Sequence, residues 1–344
     1  MLSHREQLTP QMLQYAEKFD DRGEIRWLPY LMYFHAAGHV SDTVSTDHLG
    51  FRYAEGPDGQ RASAGDLPAD GPVRLIAGSS TVFGIGASAD AHTLASRLWS
   101  KHAPATPWLN FGGRSFNSTQ ELLLFTLYRH LLPQVDEIVL LSGFNNLGLS
   151  RLPRWMQGDN GAFFNEHDYY EQVDAARERQ RRAGAGRRLL SRRAPAPSPE
   201  LRDGTVPGLD EQLAHAVDLT VRHLDNWRLL AGGNGVKLTY VLQPLAPWVR
   251  ERPAPQEQLL FDELDTLANF SQAYGDICTI EAGRRYAAML REGCARIGVD
   301  FLDLNPLLDE ALAADEWAFV DRIHFTDSGH DTVAGLLAGA LDLH

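Results

Sequence analysis

The sequence predicts an α/β fold in which a five-stranded parallel sheet is covered by helices on both faces, and three observations carry that expectation. Five short runs rich in β-forming apolar residues, Val73–Ala77, Trp108–Phe111, Glu137–Leu141, Val236–Leu242 and Val299–Leu304, are long enough for buried strands and too short for helices. Segments of helical length separate them, and strands joined by helical crossovers run parallel. The first run stops at Gly78-Ser79-Ser80, which puts a hydroxyl at the carboxyl end of a sheet strand, the edge where ligands bind in open α/β sheets. Ser80 is the candidate nucleophile.

Residues 1–71 read as an N-terminal extension that packs on the core, with a helix over Gln11–Phe19 and an aromatic stretch, Trp27, Tyr30, Tyr33 and Phe34, expected to pack rather than to bind. A Pro-Asp-Gly turn signal at 57–59 suits a hairpin. Residues 72–344, which carry Ser80, are expected to form the catalytic domain. After the first strand comes a helix near His92–His102. The second strand ends in Gly112-Gly113-Arg114-Ser115 and leads to a helix over Ser118–Leu132, with Asn117 or Ser118 as N-cap and Gln120 and Glu121 in its first turn. The third strand ends in Ser142-Gly143-Phe144-Asn145-Asn146 and the fourth in Gln243-Pro244. Helices over Asp210–Leu230, Gln256–Ala273 and Glu281–Ile297 supply the later crossovers, and Ser328–Leu341 closes the chain.

An insertion at about 151–204 interrupts the alternation. It begins with Trp155, Phe163, Phe164, Tyr169 and Tyr170 and continues into eight arginines between Arg177 and Arg193, opposed only by Glu178. The arginine run reads first as a solvated helix face or loop, and second as a surface for an anionic partner. Following directly on Asn145, the aromatics are expected to form a lid over a bound substrate. The arginines would then hold an anionic carrier attached to that substrate.

Composition bounds the function. The 44% apolar and 22% charged fractions are those of a globular protein, and a net charge of −13 argues against nucleic acid, whose phosphates need a basic face. Cys278 and Cys294 have no metal-binding spacing. The charged N-terminus lacks the apolar core of a signal peptide, and no apolar run approaches the roughly 20 residues of a membrane span, so a cytoplasmic location is expected.

Near the C-terminus, Asp321-Arg322-Ile323-His324 precedes the last helix. A serine hydroxyl needs a base to take its proton, and that base works best when a third group fixes its tautomer. Ser80, His324 and Asp321 supply those three roles. A neutral His324 is required, so activity is expected to fall as the imidazole charges in acid.

The sequence resembles the SGNH (GDSL-like) hydrolase family at four places in family order. Gly78-Ser79-Ser80-Thr81-Val82-Phe83-Gly84 matches the first block, Asn110-Phe111-Gly112 the second, Gly143-Phe144-Asn145-Asn146 the third and Asp321-Arg322-Ile323-His324 the last. The resemblance covers roughly 72–150 and 236–344. It implies a flavodoxin-like three-layer α/β/α sandwich, hydrolysis of esters or thioesters on a small-molecule or carrier-bound acyl substrate, and no metal or cofactor. It also implies an oxyanion hole from the Ser80 N–H, the Gly112 N–H and the Asn145 amide. Ser79 and Asn146 stand where the family usually has aspartates. With Gln243, Trp155 and Phe163, they are the candidate substrate-binding residues.

Competing motifs are weaker. Gly84-Ile85-Gly86-Ala87-Ser88-Ala89 fits a dinucleotide fingerprint but begins six residues past the first turn, and no acid ends the second strand to hold a ribose. No GxSxG elbow or HExxH is present; His35 and His39 stand four apart without the required glutamate. Two alternatives stand beside this: an acyltransferase using the same residues, and a catalytically silent binding module that keeps the fold, against which the intact set of Ser80, Gly112, Asn145 and His324 speaks.

Overall fold

The computed structural model describes residues 3–19, 26–67, 71–166, 205–232, 235–267 and 270–343. The first helix, α1 (His4–Leu8), forms although it has only five residues, because Ser3 and Glu6 make a capping box in which each side chain accepts the other's N–H. In α2 (Gln11–Lys18), Met12 and Tyr15 lie on the buried face. β1 (Arg26–Leu28) and β2 (Met32–Phe34) pair antiparallel, as do β3 (Ala54–Glu55) and β4 (Arg61–Ala62), which turn through Pro57–Gly59. A buried cation ties these pieces to the rest of the chain. Arg52, fully enclosed, donates from Nε to Asp90 Oδ1 (2.8 Å) and from Nη1 to the Tyr15 hydroxyl and the Gly84 carbonyl (2.9 Å each). Its Nη2 donates to the Thr43 carbonyl at 2.6 Å. A guanidinium is tolerated inside a protein only when it is paired and hydrogen-bonded in this way.

The main sheet comprises β5 (Val73–Gly78), β6 (Trp108–Gly112), β7 (Val135–Ser142), β8 (Lys237–Leu242) and β9 (Asp300–Asp303), all parallel, in the order β6-β5-β7-β8-β9. Helices fill the connections. After β5 come α3 (Ser80–Phe83) and α4 (Leu94–Arg97), after β6 α5 (Ser118–Tyr128), and after β7 α6 (Phe144–Leu149) and α7 (Leu209–Gly232). After β8 come α8 (Ala246–Val249), α9 (Pro255–Leu267), α10 (Phe270–Tyr274) and α11 (Ile280–Ile297), and after β9 α12 (Asn305–Ala311) and α13 (Asp327–Ala340). The chain winds one way from β5 to β6 and the other way from β6 through β9. With right-handed crossovers, α4 falls on one face and α5, α7 and α11 on the other. The last three pack together, and α13 returns to α4. The result is a three-layer α/β/α sandwich with its switch of direction at β5.

Some predicted elements differ in detail. The segment expected as one helix near 92–102 is a single α turn followed by a wider-wound turn over Leu98–His102. Asn117 caps α5 through a capping box with Gln120, and α5 gives way at Tyr128 to a tighter turn over Arg129–Leu131. The helix expected over 256–273 is described as α9 and α10. Among the described residues no helix is long and apolar enough to cross a membrane. Tyr169, Tyr170 and the Arg177–Arg193 run lie outside the described residues.

Candidate active site

β5, β6 and β7 end level, with Gly78 opposite both Gly112 and Leu141. A Cβ on Gly78 would lie 2.1 Å from the Leu141 carbonyl oxygen, so only glycine lets the strands close here before the chain turns into α3. Ser79 caps that helix with its carbonyl, which accepts the N–H groups of Val82 and Phe83. Ser80 is therefore the first helical residue, its side chain at the carboxyl edge of the sheet. Its own N–H has no acceptor among the described residues.

The loop before α13 brings His324 to it. Phe319 and Phe325 bridge across the loop, and the Val320 N–H donates to the His324 carbonyl at 2.9 Å. Glu257, fully buried on α9, anchors the same loop: Oε1 accepts the N–H groups of Ala318 (2.9 Å) and Phe319 (3.1 Å), and Oε2 takes Arg250 Nη2 at 2.8 Å. Within this frame His324 Nε2 lies 2.8 Å from Ser80 Oγ, and His324 Nδ1 lies 2.8 Å from Asp321 Oδ2. Asp321 Oδ1 accepts the N–H groups of Ile323 and His324, both at 2.8 Å. Burial alone would raise the Asp321 pKa. The charge and hydrogen bond of His324, with those two N–H groups, outweigh it and hold the carboxyl below its ordinary value. An ionised Asp321 accepts from Nδ1–H, so in a neutral ring the lone pair is on Nε2, toward the serine.

Ser80, Asp321 and His324 open onto a cavity of about 420 Å³. Its walls are mainly apolar: Met12 and Phe19 from the N-terminal segment, Ile85, Leu264 and Leu267 from α9, and Phe270 from α10. Arg5, Arg114 and Arg322 add positive charge, with Arg322 paired to Asp265 through two bonds of 2.9 and 2.7 Å. The described part of the aromatic insertion expected to cover the site contributes no residue to this wall. Trp155, half-exposed, and Phe163 are not among the lining residues, and the described part of the insertion sits on α5 and α7 through Asn117–Ala162 and Arg222–Asp159 bonds. Among the described residues, the segment from Arg5 to Phe19 lines it instead. Its signal was in the sequence: Met12, Tyr15, Ala16 and Phe19 recur at one-face helical spacing, and all four line the cavity.

Three other expected binding residues are spent inside the protein. Ser79 and Gln243, both fully buried, face each other at 3.5 Å beneath α3, and Gln243 Nε2 donates to Thr81 Oγ1 at 3.3 Å. The Asn146 amide is fully occupied, accepting the Ser118 N–H (3.0 Å) and donating to Ser118 Oγ and Thr220 Oγ1 (2.7 Å each). Gly112 is also corrected as a donor. Its N–H goes to Asn110 Oδ1 at 2.9 Å, and it is glycine for a packing reason, since a Cβ there would lie 2.1 Å from the Phe83 nitrogen. The part of that block that reaches the cavity is Arg114 and Ser115, and Ser115 holds a left-handed φ of 55°. Asn145, buried behind this turn, gives one amide hydrogen to the Phe116 carbonyl at 2.7 Å, and its other amide hydrogen has no acceptor among the described residues.

A buried acid stands behind the site. Ser142, the last residue of β7, donates to Glu121 Oε1 at 2.6 Å, while Glu121 Oε2 has no partner among the described residues. Burial pushes the Glu121 pKa up to about 8, against a weaker opposing effect of the Ser142 bond. Among the described residues, no three His, Cys, Asp or Glu side chains group as a metal site.

No protein-family model matches the chain, and no curated protein does. Similar solved structures include an extracellular lipase from Streptomyces rimosus (13% identity, 80% of this chain and 100% of that one, TM-score 0.43). Others are a member of the lipolytic G-D-S-L family from Veillonella parvula (11%, 79% and 98%, 0.42) and a GDSL-like lipase from Bacteroides thetaiotaomicron (13%, 79% and 87%, 0.40). At these identities and scores the chemistry of the site stands on its own geometry.

Proposed function

We propose that the protein is a serine acyl hydrolase of the SGNH type that cleaves esters or thioesters with an apolar acyl group. One observation carries the reading: an Asp321–His324–Ser80 relay, with 2.8 Å at each link, opens onto an apolar cavity. Ser80 Oγ attacks the acyl carbonyl as His324 Nε2 takes its proton, and Asp321 balances the imidazolium through Nδ1–H. The oxygen of the tetrahedral intermediate is stabilised by the Ser80 N–H and the second hydrogen of the Asn145 amide. Collapse expels the alcohol or thiol, protonated by His324. Water, deprotonated by the same nitrogen, then releases the acid and restores Ser80. Met12, Phe19, Leu264, Leu267 and Phe270 keep the acyl chain out of water, which strengthens the polar interactions beside it.

The test is a fluorophosphonate probe together with a series of p-nitrophenyl esters from acetate to decanoate. The expected outcome is an adduct mapped to Ser80 and a kcat/KM that rises with chain length until the cavity is filled. An active enzyme whose adduct lies elsewhere, or which does not react, refutes the assignment.

A further inference from the structure

The turn after β6 presents Arg114 and Ser115 to the cavity and, through the Phe116 carbonyl, orients the Asn145 amide. It is not self-supporting. Ser115 sits at φ 55°, a conformation that costs any residue but glycine and persists only where neighbours impose it. Two of the groups that impose it come from the N-terminal extension. The Tyr33 hydroxyl on β2 donates to the Ser115 carbonyl at 3.0 Å, and His35, just past β2, accepts the Arg114 N–H on Nε2 at 3.0 Å. The His35 ring is itself fixed. Its Nδ1 lies 3.1 Å from the Gly50 carbonyl, which can only accept, so the proton is on Nδ1 and the lone pair on Nε2. Burial first, then the nearby Arg114 charge, hold the ring well below the usual histidine range, so Nε2 stays an acceptor. The same ring lies against Phe83 of the nucleophile helix, with centroids 3.8 Å apart at 32°.

We infer that His35, assisted by Tyr33, is a positioning residue that sets the 112–116 turn, and with it the Asn145 amide, relative to Ser80. One imidazole bears on both halves of the site: its edge on the turn and its face on the helix that carries the nucleophile. The inference rests on the hydrolase reading above. It gives the extension a role in the reaction beyond covering the cavity.

The test compares three variants of the full chain in p-nitrophenyl acetate hydrolysis, with folding followed by circular dichroism. His35→Phe keeps an aromatic ring on Phe83 and removes the acceptor. Displacing an oxyanion donor by a fraction of its length costs less than deleting it, and deletion costs about 10²–10³ in rate. The expected loss in kcat is therefore about 10- to 100-fold, with KM within about threefold of wild type. His35→Gln, whose Oε1 reaches the position of Nε2, is expected to recover most of that loss, and Tyr33→Phe to lower kcat by about 3- to 10-fold. A folded His35→Phe enzyme with wild-type kcat, or one that His35→Gln does not improve upon, overturns the inference. If His35→Phe does not fold, Tyr33→Phe decides: a lower kcat at unchanged KM upholds it, and an unchanged kcat overturns it. A wild-type protein that neither hydrolyses esters nor labels at Ser80 overturns the hydrolase reading and this inference together, whereas a working wild type with indifferent variants removes only the positioning role.

Discussion

Glu121→Gln separates the cost of a buried carboxylate from everything else in the fold. In the native protein one Glu121 oxygen takes the Ser142 hydroxyl and the other has no partner among the described residues. Its pKa moves from 4.5 to about 8. The folded state therefore holds a proton that the unfolded chain has released. The resulting stability is complete below about pH 4.5 and is lost as the pH rises through about 8. At about 1.4 kcal/mol per unit, most of the interval falls between pH 5 and 8, which makes the loss over that span about 3–4 kcal/mol. Glutamine keeps the Ser142 bond and cannot ionise, so its unfolding free energy should gain that amount on wild type between the two pH values. Urea unfolding at pH 5, 6, 7 and 8 measures the difference directly. Parallel curves for the two proteins would show that Glu121 is ionised inside the fold and that the account of it is wrong.

Two further outcomes follow from the described contacts. Asp321→Asn turns an N–H₂ toward His324 Nδ1 and forces the proton onto Nε2, where it faces Ser80; kcat for p-nitrophenyl acetate should fall by about 10⁴ with KM little changed, and a loss under tenfold would exclude the tautomer argument. Arg52→Met leaves the buried Asp90 with Arg61 Nη2, at 3.0 Å, as its one cation among the described residues and should cost about 3 kcal/mol, read as a lower melting temperature; an unchanged melting temperature would show that the buried pair contributes nothing net.

The sheet was legible because strands covered on both faces favour short runs dominated by β-forming apolar residues, and that bias survives the polar interruptions at Asn110, Lys237, Thr239, Asp300 and Asp303. The relay was legible because its three residues stand at sheet-edge positions fixed by those strands and by the loop before the last helix. A place in a motif does not give a residue the same side of the sheet as its functional neighbour. Ser79 and Asn146 flank Ser80 and Asn145, yet each points inward: Ser79 is the extended N-cap of α3, and Asn146 follows Asn145 by about 100° around α6. Gly112 was read as a donor from its place in a motif, whereas its backbone N–H is already claimed by a side chain two residues earlier, a local bond that periodicity does not reveal. The apolar face of residues 12–19 was visible. Nothing in the sequence said that it would turn toward Ser80, because that depends on Arg52 drawing the Tyr15 hydroxyl and the Gly84 carbonyl to one point.

The Ser80–His324 hydrogen bond joins residues 244 positions apart. Contacts of such separation form only after the intervening loop has been closed, at an entropic cost that local structure does not share. β5 gains its ladder partners only when β6 and β7 have arrived over their crossovers, and the Ser80–His324 bond further needs the loop held by Glu257 on the far side of β8 and β9. The Ser80–His324 contact thus depends on more of the fold being in place than any strand of the sheet does. Ester turnover recovered during refolding should lag behind the return of far-ultraviolet ellipticity, with the interval between the two recording the docking of the C-terminal segment.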